Sequence, residues 1–172
     1  TAVREDWLEA IFPEDFRNED RVEYDAGLKR VVAVKERCFR DLVLESGEAD
    51  EVDPDRAANL LAEEVMADRL RLKRWNAKVD EWINRVNFLS RNCPFLEIEP
   101  IGPEERRVFL EQICYGAVRF KEIKDRDVWP TVREWLLQEQ LDCMDSYAPE
   151  RIALPSGKSV RVCYGDDGTG KI

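Results

Sequence analysis

The stretch "RVEYDAGLKRVVAVKERCFRDLVLES", Arg21–Ser46, reads as β structure in a chain whose longest patterned segments read as helix. Its β-branched and aromatic residues fall in short runs. Val22 and Tyr24 alternate, "RVVAV" is a strand signal, and "DLVL" makes a third. "DAG" punctuates the first pair of runs and "SGE" closes the last. From Asp20 onward the pattern predicts two linked antiparallel hairpins.

Ahead of it, "AVREDWLEAIF" places Trp7, Leu8 and Ile11 at helical spacing and stops at Pro13. Behind it, Asp53 followed by Pro54 marks a helix start: the carboxylate caps free N–H groups and the proline takes the first helical position. A long helical stretch is expected next. Leu72, Trp75, Val79, Trp82, Val86 and Leu89 step by three and four residues and so share one stripe. Such a stripe is a coiled-coil seam or the inner face of a bundle helix. The bundle is the better reading, because a coiled coil needs about three or four sustained heptads.

"GPEERRVFLEQI" starts another helix at Pro103, and "DRDVWPTVREWLLQEQLDCMD" one or two more around Pro130. After Tyr147, "RIALPSGKSVRVCYG" reads as two short strands about a "PSGK" turn. The expected fold class is α+β, antiparallel β hairpins packed with a helical bundle. Three segments follow: 1–52 with the first helix and the β hairpins, 53–147 helical, and 148–172 as a C-terminal β hairpin expected to pack back on the first β segment.

Composition narrows the chemistry. The net charge of -10 argues against tight free-standing nucleic-acid binding, whose affinity comes mostly from neutralising phosphates. No apolar run approaches the ~20 residues of a membrane span, so a soluble chain is expected. It opens on Thr1 with no signal-peptide layout, and we read it as a piece of a longer protein. There is no histidine, which removes Ser-His and Cys-His catalysis and the commonest transition-metal ligand. Cys38, Cys93, Cys114, Cys143 and Cys163 are widely spaced without a CxxC pair, so reduced, mostly buried thiols are expected rather than a zinc site or a disulfide framework.

Three motifs invite chemistry. "GDDGTGKI", Gly165–Ile172, follows G-x-x-x-x-G-K-[S/T] except that Ile172 replaces the hydroxyl residue. A phosphate loop also needs a following helix, and Asp166 and Asp167 repel phosphate. A solvated turn is the better reading. "RLRLKRW" carries Arg69, Arg71, Lys73 and Arg74, which at helical spacing spread around the axis among abundant acids. The hairpin cations Lys29, Arg30, Lys35, Arg37 and Arg40 are better candidates, since small β-barrels bind single strands across such a surface. "EADEVDPD" lacks the alternating ligands and central glycine of a calcium loop.

The segment "LDCMDSYAPERIALPSGKSVRVCY", Leu141–Tyr164, resembles the C-terminal signature of bacterial HrpB-type ATP-dependent helicases of the DEAH class: a leucine-rich helix, then Ala148-Pro149, a strand, Pro155-Ser156-Gly157, and a strand ending in Tyr164. "DWLEAIFP" is similar to the segment leading into that family's β region, and "WNAKVDEWINRVNFL" to the helix holding its Arg85-Val86 pair. The family's usual "PVL…Q…FG"-like stretch does not follow Tyr164 here.

The resemblance implies an accessory C-terminal region of an RNA helicase, an oligonucleotide-binding-like β portion plus a helical part. It would have no catalytic, cofactor or metal site of its own. ATP and magnesium would belong to the parent's motor domains, which would be this region's partners in the same cytoplasmic polypeptide. If RNA touches the region, the charge placed on its β segments, and not the resemblance, points to Lys35, Arg37 and Arg40 and to the turn with Lys158 and Arg161 as the residues that guide a single strand. The alternative that stays open is an acidic module docking a partner protein or the motor without touching RNA.

Overall fold

A computed structural model describes residues 5–172; the positions of the first expected helix that precede residue 5 lie outside the described residues. Helix α1 spans Glu5–Ile11, and the chain then turns through Pro13–Asp15 into an antiparallel meander. Strands β1 (Phe16–Asp25), β2 (Arg30–Phe39) and β3 (Leu42–Glu48) lie in the order β1-β2-β3. Both expected hairpins are present. The first strand begins four residues before Asp20, because an edge strand tolerates the charged run Arg17–Asp20 that conceals it from pattern reading. At the first turn Leu28 N donates to Asp25 Oδ1 at 2.9 Å; a bulge at Arg37/Cys38 precedes the second.

Helix α2 (Pro54–Met66) starts as expected, with Asp53 Oδ1 accepting from Asp55 N at 3.1 Å. Such a cap contributes about 1 kcal/mol. Its buried face, Ala57, Ala58, Leu61 and Ala62, is mostly small, which lets α2 approach α4 (Pro103–Cys114) closely. Helix α3 (Ala77–Asn92) is capped by Asn76 Oδ1, which accepts from Lys78 N at 3.0 Å. Only Val79, Trp82, Val86 and Leu89 of the six-residue stripe lie on it.

Leu72 and Trp75 belong instead to an irregular connection over residues 67–76. Asp68 adopts φ +57°, and the N–H groups of Arg69 and Leu70 both fold back on the Glu64 carbonyl, which ends α2. In that connection Leu70 and Leu72 point into the core while Arg69, Arg71 and Lys73 pair with Glu64, Asp68 and Asp125. The cations of "RLRLKRW" thus alternate along irregular chain and do not spread around a helix.

Three short helices follow: α5 (Phe120–Ile123), α6 (Trp129–Arg133) and α7 (Gln138–Tyr147). Among the described residues an apolar cluster runs from Val31 of β2 through Leu61, Ile83, Leu89 and Ile113 to Val132 and Met144. The sheet joins the helices by a backbone bridge: Val31 N donates to Val118 O at 2.7 Å and Phe120 N to Lys29 O at 3.0 Å. None of the described helices is long and apolar enough to cross a membrane.

The C-terminal segment forms two ladders, β4 (Arg151–Ala153) with β5 (Ser159–Arg161) and β6 (Cys163–Tyr164) with β7 (Gly170–Lys171). The second ladder is additional to the expected hairpin. Among the described residues neither ladder pairs with β1–β3, so the β segments do not close into one barrel. Instead β6 packs on α3, where Tyr164 meets Phe88 edge-on at 5.0 Å. The inner face of the meander is already occupied, Val22 and Tyr24 lying against the central cluster beside α2.

One ion pair at the end of α2 makes stability pH-dependent. Arg69 holds Glu64 through two hydrogen bonds of 2.7 Å, and this donation, opposed by burial, keeps the Glu64 carboxyl below its ordinary value near 4.5. A depressed carboxylate stabilises the fold fully above its unfolded-state pKa and loses that contribution as pH falls through the folded one. The stability difference between the wild type and Glu64→Gln should therefore be largest above about pH 5 and shrink below pH 4.5, read by urea denaturation at each pH.

Candidate functional site

The signature residues converge. Arg85, on the inner side of α3 and only 6% exposed, donates through Nε to the Ala148 carbonyl at 2.8 Å. Its Nη2 reaches Asp145 Oδ1 at 2.6 Å and its Nη1 reaches Glu150 Oε1 at 3.0 Å. Tyr164 Oη donates to the Pro149 carbonyl at 2.6 Å, while Asn84 Nδ2 on the turn of α3 before Arg85 donates to the Tyr164 carbonyl at 3.0 Å. Burial raises the Tyr164 hydroxyl above its ordinary value, partly offset by the nearby Arg85 charge, so it stays a neutral donor. Arginine's rigid fork suits this work: one planar group satisfies a backbone carbonyl and two carboxylates at once.

Pro155-Ser156-Gly157 forms the β4–β5 turn. Gly157 sits at φ +78°, a conformation that side chains strain to adopt, and its N–H closes on the Leu154 carbonyl at 2.9 Å. The clamp that ties the C-terminal ladders to α3 is made by the bonds from Arg85 to Ala148, Asn84 to Tyr164 and Tyr164 to Pro149.

Beside the clamp lies a cleft of about 730 Å³ between α3, α6, α7 and the β5–β6 edge. Trp82 and Trp129 meet edge-on in its wall at 6.3 Å, and the Arg133 guanidinium lies 5.2 Å over the Trp129 ring. Arg161 at its rim is bound to Glu81 at 2.5 Å.

"GDDGTGKI" supplies the β6–β7 turn and then β7 itself. Gly165 N donates to Thr169 O at 2.8 Å, and Asp167 Oδ1 accepts from Thr169 N at 3.0 Å and from Thr169 Oγ1 at 2.7 Å. These bonds hold Asp167 below its ordinary value. A carboxylate therefore occupies the centre of the loop where a phosphate loop would hold its anion, as the solvated-turn reading expects. The loop is also tied back to α3 by Arg91, whose Nη1 donates to the Asp167 carbonyl.

The five expected RNA contacts fall into two groups on separate sheets. Lys35 and Arg37 share one face of β2, opposite Asp20 and Asn18 on β1 and Gly47 and Glu45 on β3. Arg37 is bound to Glu9 of α1 at 2.7 Å and lies over the Phe16 ring; Arg40, at φ +53° in the β2–β3 turn, is bound to Asp15 at 2.8 Å between the rings of Phe12 and Phe39. Lys158 projects from the β4–β5 turn, and Arg161 is held by Glu81. Arg30 is paired with Glu48 at 2.8 Å.

Sequence reading missed one donor cluster. Glu19, Glu36 and Cys38 place their ligand atoms within 4.8 Å of one another across the β1–β2 pair. Both carboxylates are already neutralised, Glu19 by Arg17 at 2.7 Å and Glu36 by Arg21 at 3.0 Å.

All five cysteines are free, and Cys38, Cys93 and Cys114 are buried. Burial pushes the Cys114 thiol up to about 12, while Cys163 is exposed at the cleft. Since the thiolate is the nucleophile, a chromogenic disulfide reagent at pH 8 should titrate Cys163 rapidly in the folded protein. Cys114 should react only in denaturant, and Cys163→Ser should remove the fast phase.

No family model matches the chain, and no curated protein does. Two solved structures match its fold. A crystal structure of the Escherichia coli DExH-box NTPase HrpB aligns with 98% of the chain at a TM-score of 0.58 and 18% identity. A crystal structure of the Escherichia coli DEAH/RHA helicase HrpB aligns with 91% at 0.58 and 16% identity. The chain spans about one fifth of their length, 21% and 20%. Over 98% and 91% of its length, respectively, the chain folds as one portion of these two structures does.

Proposed function

We propose that this chain is the accessory region of an ATP-dependent RNA helicase of the HrpB type, bracing motor domains of the same polypeptide and guiding single-stranded RNA. The observation that carries this reading is the fold correspondence over 98% of the chain with an HrpB NTPase structure and over 91% with an HrpB helicase structure. Convergence of Arg85, Ala148-Pro149 and Tyr164 into one clamp supports it, since these residues of the resemblance also form a unit in space. ATP and magnesium belong, on this reading, to the motor of a bacterial cytoplasmic protein. The clamp supplies rigidity and no proton transfer or nucleophile.

A second reading, an acidic docking module that never meets RNA, is favoured by one observation. Arg37, Arg40 and Arg161 are all engaged by carboxylates. Exposed pairs of this kind contribute only about 0–1 kcal/mol, so phosphate can compete for them.

RNA-stimulated ATPase of the motor-bearing polypeptide separates the two. Loss of stimulation on charge reversal at Lys35, Arg37, Arg40, Lys158 and Arg161 supports strand guidance along those residues. Unchanged stimulation removes them from the RNA path. Unchanged stimulation on deleting the whole region removes the helicase role itself.

A further inference from the structure

The backbone bridge between sheet and helices also gathers charge. It sets the β1–β2 turn against the start of α5, and the groove between them, of about 560 Å³, is lined by Lys29, Arg30, Arg119, Lys121 and Lys124 with Leu28 and Phe120. Five cations line it and no carboxylate does, in a chain of net charge -10. Lys29, Arg119 and Lys121 are exposed and have no carboxylate partner among the described residues.

The acids nearest the groove are already engaged. Glu48 binds Arg30, Asp125 sits between Lys73 and Lys124, and Glu122 Oε2 accepts from the N–H groups of Val118 and Arg119. The Nε of Arg30 is buried without a hydrogen-bond partner. By contrast, Lys35 and Arg37 line their own groove together with Asp20, Glu36 and Glu45.

We propose that the groove between the β1–β2 turn and α5 is the RNA contact of this region, taking the phosphate backbone of a single strand on Lys29, Arg119 and Lys121. The proposal rests on the strand-guiding half of the reading above. It takes the contact away from the β2 face and the β4–β5 turn. Its chemistry is sequence-independent: mobile cations meet phosphates, and exposed Leu28 offers an apolar edge to the sugar and base side. Two cations held by carboxylates, Arg30 and Lys124, extend the positive field without being free to follow the strand. Single-strand binding weakens with a log–log salt slope of about 0.7 per phosphate contacted. Three contacts therefore lower affinity roughly 20-fold between 50 and 200 mM salt.

The test is fluorescence anisotropy of the 172-residue chain with a labelled twelve-nucleotide oligouridylate. The wild type is compared with Lys29→Glu/Arg119→Glu/Lys121→Glu and with Lys35→Glu/Arg37→Glu/Lys158→Glu, which shifts net charge equally. Circular dichroism melts check folding, and Lys29→Gln/Arg119→Gln/Lys121→Gln provides a milder version of the first set. The expected result is binding at 50 mM salt, weakened at least tenfold by the groove set and under threefold by the control set, with a shallower salt slope for the Gln set. Loss in the control set alone overturns the groove and keeps strand guidance. No wild-type binding at 50 mM salt overturns both and leaves only the bracing role. Displacement of the RNA by polyglutamate at equal charge concentration overturns the RNA assignment in favour of an acidic peptide.

Discussion

Replacing Arg85 by Met should destabilise the protein by about 2 kcal/mol, and by Ala about 3 kcal/mol. Two effects oppose each other. Removing a buried guanidinium relieves its desolvation, and a hydrophobic residue of similar length can be neutral where a whole ion pair is replaced. Here the partners remain, but Asp145 and Glu150 have side chains 88% and 75% exposed, so water solvates their freed carboxylates. The Ala148 carbonyl decides the sign. It belongs to a fully buried residue and takes a hydrogen bond from Arg85 Nε, so either variant leaves an unsatisfied polar group inside. Ala adds a void that Met fills.

Urea denaturation should show a lower midpoint. Limited proteolysis of the variant should cut first after Tyr147, where the C-terminal ladders lose their tether to α3. A variant as stable as the wild type would mean that the clamp is ornamental.

Leu89→Ala should cost about 3 kcal/mol, within the usual 2–5 for a buried leucine. Leu89 is fully buried at the inner face of α3, among the side chains that link the central helices to the C-terminal part. The lost transfer energy is compounded by a cavity, because the neighbours belong to the same packed core cluster and collapse only partly. Leu137→Ala is the matched control: the same atoms are removed from a residue 70% exposed, and the change should stay within about 0.5 kcal/mol. A lower denaturation midpoint at unchanged m-value in Leu89→Ala, with none in Leu137→Ala, checks the pair.

The legible parts of this protein are those decided by chemistry within a few residues. Asp53-Pro54 marked the start of α2, Pro103 that of α4, and "PSG" the β4–β5 turn, because capping oxygens, fixed φ angles and glycine's freedom act locally. The alternation at Val22 and Tyr24 marked the meander for the same reason. The stripe from Leu72 to Leu89 misled over its first part. Inward-facing residues in an irregular connection can mimic helical spacing, and only the Glu64 carbonyl, taking back the N–H groups of Arg69 and Leu70, shows where α2 ends. The start of α3 is set locally by Asn76, whose side chain accepts from Lys78 N.

Sequence by itself determined the α+β class, the coarse order of helix, β hairpins, helices and β hairpin, the absence of histidine chemistry and the turn in "GDDGTGKI". Tertiary structure alone decided what meets what. Arg85 finds partners 60 to 65 positions away, the C-terminal ladders settle on α3 and leave the meander unclosed, and Lys29 comes to lie beside Arg119 and Lys121. The reason is that local backbone preferences act along the chain. Burial and charge pairing act across space, and a carboxylate or carbonyl far along the chain is as good a partner as a near one once the core has brought it within about 3 Å.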